Sequence, residues 1–173
     1  MKEIDVYKVL EGKNPKLARR VPRFVVDYLR RTIHEREVNE ILARFGDLEG
    51  IAFVRAALGY MNVRYHSVGM ERLNPEGRYV FASNHPFGGM DGLMLADEVA
   101  RYFGDVRVVV NDLLMYLGPL RGLFVPVNKH GRQDAGSVEA FNNAFASDVP
   151  IVTFPAGLCS RRRRGVVRDL EWK

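Results

Sequence analysis

The chain has 173 residues, of which 47% are hydrophobic, 27% charged and 10% aromatic, a balance that supports one buried core and excludes disorder, collagen and coiled coil. The formal net charge is +5 and sits at the ends: residues 1–45 hold 11 basic and 7 acidic side chains, residues 161–173 hold 6 and 2, and the middle is slightly acidic. Two basic ends suit an anionic partner, be it phospholipid headgroups, an acidic carrier protein or nucleic acid, and charge alone does not choose among them.

Between residues 22 and 45 the apolar side chains Phe24, Val25, Tyr28, Leu29, Ile33, Ile41, Leu42 and Phe45 recur at three- and four-residue steps. That spacing predicts an amphipathic helix or a broken helical pair, its other face rich in arginine. Asp47 is the expected N-cap of a second helix carrying Ile51, Val54, Ala57 and Leu58 on one side and stopping near Gly59. The texture then changes to short β-rich runs at residues 62–68, 79–83, 106–110, 123–127 and 151–154. Helical patterns at residues 91–103, 113–117 and 134–146 separate several of them. Alternation of this kind predicts an α/β fold: a basic helical segment over residues 1–60 packing on an α/β domain over residues 61–173, its sheet mostly parallel with flanking helices. Reactive groups in such a sheet collect just past the carboxyl ends of the strands.

Uncharged stretches such as residues 79–90 and 149–160 are shorter than the roughly 20 apolar residues a membrane-spanning helix needs. The first 13 residues lack the apolar core of a secretory signal, and Cys159, the single cysteine, has no partner for an internal disulfide, so a reducing cytoplasm is the expected compartment. His34, His66 and His130 have no neighbour at metal-ligand spacing, so no metal is expected. A nucleic-acid partner is not expected either, because the basic runs lack interleaved aromatic side chains.

The most informative stretch is "YVFASNHPFGGMDGLML", residues 79–95: an apolar strand runs into Asn84 and His85, then a turn with Gly88 and Gly89, then a helix opening near Asp91. The glycines permit backbone angles closed to other residues, so the chain can double back and bring the Asp91 carboxylate to the imidazole. A carboxylate on one ring nitrogen fixes the tautomer and leaves the other free as a general base. The bland alternative is a structural loop in which Asp91 caps its own helix.

"NHPFGGMDG" closely resembles the signature block of the glycerolphosphate and lysophospholipid acyltransferase superfamily, and within it the bacterial hemolysin-like branch related to glycine-lipid and ornithine-lipid synthesis. The broad superfamily has four residues between His and Asp, whereas five separate His85 from Asp91, as in that branch. "GLFVPVN", residues 122–128, resembles the strand lining the acceptor pocket, and "FPAGLCSRRRR", residues 154–164, resembles the "FPEGTRS" block. The leader over residues 13–39 is similar as well, and because the resembled proteins run well beyond the third block, the resemblance implies that the domain over residues 61–173 is incomplete at its C-terminal end. The resemblance implies His85 as base and Asp91 as its orienting acid. It further implies a substrate site drawn from Asn84, Gly88, Gly89, Phe124, Pro126, Asn128, Phe154, Pro155, Gly157, Ser160 and Arg161.

Two departures bear on the acceptor. The third block has Ala156 in place of its usual acid, and the second has no arginine within the strand, only Lys129 and Arg132 downstream. Both departures lean away from glycerol phosphate and toward a carboxylate-bearing acceptor such as a monoacylated amino acid. The expected activity is acyl transfer from an acyl carrier protein or coenzyme A thioester to a lipid hydroxyl, without a separate cofactor. Its setting would be the cytoplasmic face of an anionic membrane. Arg161 is the strongest candidate in its arginine run for clamping an anion, either the acceptor carboxylate or the donor's phosphate. Oxyanion donors are expected from backbone amides near Gly88 and Gly89 or around Gly157. Cys159 as an acyl-accepting nucleophile carries little weight, since the resembled family is thought to transfer acyl groups directly. The alternatives are an inactive module that binds membrane or carrier protein through the basic N-terminal helix, and a 1-acylglycerol-phosphate acyltransferase.

Overall fold

The computed structural model describes residues 3–128 and 134–172. Lys129, His130 and Arg132 lie outside the described residues.

The first third is helical: α1 (Val6–Lys13), α2 (Pro15–Ala18), α3 (Arg23–Thr32), α4 (Glu35–Phe45) and α5 (Gly50–Tyr60). The amphipathic stretch from residue 22 is thus a broken pair, α3 and α4, with the break at Ile33 and at His34, whose φ of 55° cannot continue a right-handed helix. Residues 3–21 have too little periodicity to announce α1 and α2, and α1 owes its place to side-chain bonds. The Asn39 amide donates to Ile4 O and accepts from Ile4 N at 2.8 and 2.7 Å, and Glu35 accepts from Val6 N at 2.8 Å. The expected N-cap role of Asp47 is not realised. Residues 46–48 fold back on α4 through Gly46 N to Leu42 O and Leu48 N to Phe45 O, so α5 starts later, after Glu49.

The remainder builds a four-stranded, fully parallel sheet from β1 (Val80–Ala82), β2 (Arg107–Asn111), β3 (Phe124–Val127) and β4 (Ile151–Thr153), in the order β1-β4-β2-β3. Helix α6 (Gly89–Phe103) joins β1 to β2, and α7 (Ala135–Ala146) joins β3 to β4. The two crossovers run in opposite senses across the sheet, so right-handed connections put α6 and α7 on opposite faces. Pro126 is tolerated because β3 is an edge strand, where a missing N–H costs no ladder bond on the open side. A two-stranded antiparallel hairpin, β5 (Arg161–Arg163) and β6 (Val166–Arg168), follows the sheet. Nothing in the arginine run announces that hairpin.

The expected strand over residues 62–68 does not form. That segment lies on α6, where Tyr65 donates to Asp97 and Ser67 to Glu98, so side-chain bonds take the place of a ladder. One core joins the helical segment to the sheet: Leu42 of α4, Phe53, Val54 and Leu58 of α5, and Val99 of α6 pack with Val106, Val108 and Val152. Burying each such aliphatic side chain contributes on the order of 1.5–3 kcal/mol, so α5 and α6 are held as firmly as the strands beneath them.

Candidate active site

In a parallel sheet all carboxyl ends share one edge. The register Ala82↔Thr153 therefore places the chain leaving β1 beside the chain leaving β4, and His85 beside Phe154. Their rings lie 4.2 Å apart at an interplanar angle of 30°, so Phe154 is a wall against the imidazole. Helix α6 supplies the acid: His85 Nδ1 is 3.2 Å from Asp91 Oδ2, with the side chains 19% and 11% exposed. The ring is neither sealed in the core nor loose in solvent. The contact is close but off-axis, since Nδ1 makes no aligned hydrogen bond among the described residues. Catalytic hydrogen bonds are often long or misaligned until substrate arrives.

The loop between them is set by a few backbone features. Gly88 has φ 66° and ψ −132°, a region open only to glycine, and a Cβ there would also come within 3.3 Å of Cys159 Sγ. Gly89, by contrast, is the first residue of α6 and has nothing within 4 Å of its would-be Cβ. Asp91 accepts a hydrogen bond from Phe87 N at 2.8 Å and sits in the first turn of α6, where the helix dipole favours a carboxylate. Asp91 therefore both caps its loop and faces the imidazole.

The carboxyl-edge arrangement brings several of the expected residues together. Ser160 N donates to His85 O at 2.9 Å, and Asn84 Nδ2 donates to Asp169 Oδ2 at 2.7 Å. Asp169 also accepts from the Ser160 hydroxyl, and the Trp172 indole N–H donates to Asn84 Oδ1 at 3.0 Å. Asp169 and Trp172 were not foreseen, and no local pattern marks them; only the hairpin carries them back to Asn84. Gly157 N is engaged by Phe154 O at 2.8 Å, whereas Gly89 and Met90 lie in the first turn of α6, where backbone amides have no intrahelical acceptor. Pro155 and Gly157 lie in the turn after β4, and Ala156 is buried there. Arg161 opens β5, exposed, directly across from Arg168.

Other expected residues are not brought to His85. β3 is three strands from β1, about 14 Å away at ordinary strand spacing, which separates Pro126 and Asn128 from the imidazole. Phe124 begins β3 and lies at the opposite, amino edge of the sheet. There it lines a cleft of about 290 Å³ with Arg107, Gly122, Ala140 and Asn143.

Within α6, Asp97 escaped the sequence reading. It is 4% exposed and accepts from Arg55 Nε at 2.7 Å, Arg101 Nη2 at 2.8 Å and the Tyr65 hydroxyl. Burial pushes its carboxyl up, but the hydrogen bonds from Tyr65 and Arg55 and the charge of Arg101 hold it below the usual carboxylate range. An acid at helical spacing from Leu93 and Ala100 was the available signal. Among the described residues no three His, Cys, Asp or Glu side chains gather, and no helix is long and apolar enough to cross a membrane.

Comparison with known proteins reaches nearly the whole chain. The acyltransferase family model matches residues 8–173. A lyso-glycine lipid O-acyltransferase of Bacteroides thetaiotaomicron is 44% identical over 171 residues, and one of Phocaeicola vulgatus is 42% identical over 171. Each alignment covers 98% of this chain but 63% and 61% of the respective relative, so the chain spans under two thirds of their length. No solved structure matches.

Proposed function

Because the chain belongs to the acyltransferase family, we propose that it carries the catalytic part of an O-acyltransferase that moves a fatty acyl group from a thioester to the hydroxyl of a monoacylated amino acid. The observation that carries this reading is the His85–Asp91 pair, 3.2 Å apart at the carboxyl edge of a parallel sheet.

Nδ1 faces the carboxylate, which leaves Nε2 to take the proton from the acceptor hydroxyl as its oxygen attacks the thioester carbonyl. The C–O bond forms, the C–S bond breaks, and the imidazolium returns the proton to the departing thiolate. Asp91 stabilises the cation formed in between, Phe154 holds the ring plane, and first-turn amides of α6 receive the oxyanion. Ala156 brings no charge to the turn after β4, so the site has room for an acceptor whose own headgroup is anionic, with Arg161 as its counter-ion. The two relatives' names, lyso-glycine lipid O-acyltransferase, point to the same acceptor class. The donor is an acyl carrier protein or coenzyme A thioester, and the setting is peripheral, on the cytoplasmic face of a membrane.

Transfer from a radiolabelled acyl thioester to a lyso-aminolipid tests the reading. His85→Ala should lower turnover by about 10² to 10⁴ at unchanged fold, and near-normal transfer by that variant would sink the mechanism. Mass spectrometry of lipids from an expressing host should show a new O-acylated aminolipid. A new phosphatidic acid pool would show instead that the acceptor is a glycerol phosphate. A second reading, a membrane-surface module without turnover, draws on Phe24 and Tyr28, which stand exposed on the arginine-rich α3. It would show as salt-sensitive lipid binding with no transfer.

A further inference from the structure

The hairpin β5–β6 is an unusual object to leave beside a catalytic histidine. Isolated two-stranded hairpins are marginal in water, and every residue of β6 is exposed, so this one has no core of its own. Its turn is a two-residue reversal at Arg164 and Gly165, with φ of 50° and 81°, the arrangement that matches strand twist. Its feet are fixed at the active site: Ser160 N bonds His85 O, and Asp169 holds the Asn84 amide. The hairpin thus projects from the rim of the site on two firm anchors.

Its composition says what it projects into. Residues 161–168 contain no acid, and Arg161 and Arg168 stand directly opposite each other, a like-charge pair that is unfavourable unless an anion joins it. Arg162, Arg164 and Arg168 are exposed and make no ion pair among the described residues. Val166 and Val167 are 54% and 58% exposed, although side chains alternate between the two faces of a strand. Trp172 stands half-exposed at the base, and Phe87 is exposed on the catalytic loop itself. Arginine heads around exposed aliphatic and aromatic side chains are the composition of an interfacial element, in which the apolar groups enter the acyl boundary and the cations meet phosphates.

We infer that the β5–β6 hairpin is the element that seats the active-site mouth on an anionic phospholipid bilayer, with Val166 and Val167 entering the interface and Arg162, Arg164 and Arg168 contacting headgroup phosphates. This rests on the lipid-acyl reading above. It moves the docking surface from the N-terminal helices, where the basic sequence first suggested it, to the rim of the catalytic site. A lipid acceptor then enters from the membrane beside His85 without passing through water.

The experiment is vesicle pelleting with the full chain, using phosphatidylglycerol–phosphatidylcholine vesicles and phosphatidylcholine vesicles alone. Four proteins are compared: wild type, Arg162→Gln/Arg164→Asn, Val166→Ser/Val167→Ser, and the α3 variant Phe24→Ser/Tyr28→Ser. Wild type should bind the anionic vesicles in a salt-sensitive way and the neutral ones weakly. The arginine pair should lower partitioning roughly thirty-fold, about five-fold per charge, and the valine pair roughly ten-fold. Thermal midpoints unchanged from wild type exclude misfolding as the cause. Full binding by both hairpin variants, loss confined to the α3 variant, or equal binding to neutral vesicles each overturns the proposal. So does loss of binding to an acidic carrier protein, rather than to vesicles, in the arginine variant. Transfer to a detergent-dispersed acceptor is read in parallel and should persist in both hairpin variants. Its absence in wild type would instead overturn the acyl-transfer reading, while pelleting still judges the hairpin.

Discussion

Helix α6 carries two carboxylates in contrasting settings, Asp97 buried and Asp91 partly so. Asp97 is saturated: Arg55, Arg101 and Tyr65 all donate to it, and it ties α5 and the segment after it to α6. Asp91, nearer the helix start, receives one backbone amide and an imidazole nitrogen that is close but not aligned. A carboxylate whose bonds are all made can only hold structure. One with acceptor capacity left over beside a histidine can respond when the ring gains a proton, which is what a base-orienting acid must do.

Substitutions test that contrast, beginning with the largest effect. Asp97→Ala strands three donors around a vacated site and should cost about 3 kcal/mol in urea unfolding, with transfer per folded molecule unchanged. Asp91→Asn should do the reverse, lowering kcat about 10²-fold while the unfolding midpoint stays put. If the two variants traded phenotypes, the division of labour would be wrong. Gly88→Ala forces an unfavourable backbone region and crowds Cys159 Sγ, and should cost about 2 kcal/mol. Adding Cys159→Ala should recover the steric share and leave the conformational one. The smallest expected change is Asp169→Asn, about 1 kcal/mol, because the exposed bonds to Asn84 and Ser160 become neutral ones.

Acid tests the role of Asp97 separately. Asp97 ionises more readily in the folded chain than in the unfolded one, so between the two pKa values the unfolded state binds more protons. Its contribution is complete above the unfolded value of about 4 and is lost as pH falls through the lower folded value. Urea midpoints measured from pH 6 downward should fall in that window, and Asp97→Asn should flatten the slope.

Legibility followed the range of the interactions. The helical stretch from residue 22, the four strands of the sheet and helices α6 and α7 were readable, because apolar spacing and turn residues act over a few positions, while the break at His34 was left open. The loop from His85 to Asp91 was readable for the same reason: a strand end, a left-handed glycine and a helix start lie within seven residues. The strand expected over residues 62–68 failed because its β-rich texture was satisfied by bonds to Asp97 and Glu98, some thirty residues away. Phe124 was grouped with the site by its block, yet its place at the start of β3 sends it to the far edge of a parallel sheet.

The sequence by itself determined an α/β chain with basic ends and one histidine placed to meet one acid, since local periodicity and a short loop suffice for both. Only the tertiary structure decided that Phe154 walls the imidazole, that Asp169 and Trp172 close on Asn84, and that the arginine run forms a hairpin whose base is bonded to His85 and Asn84. Those contacts depend on strand order and register, and strand pairing joins residues whose separation along the chain carries no mark of their distance in space.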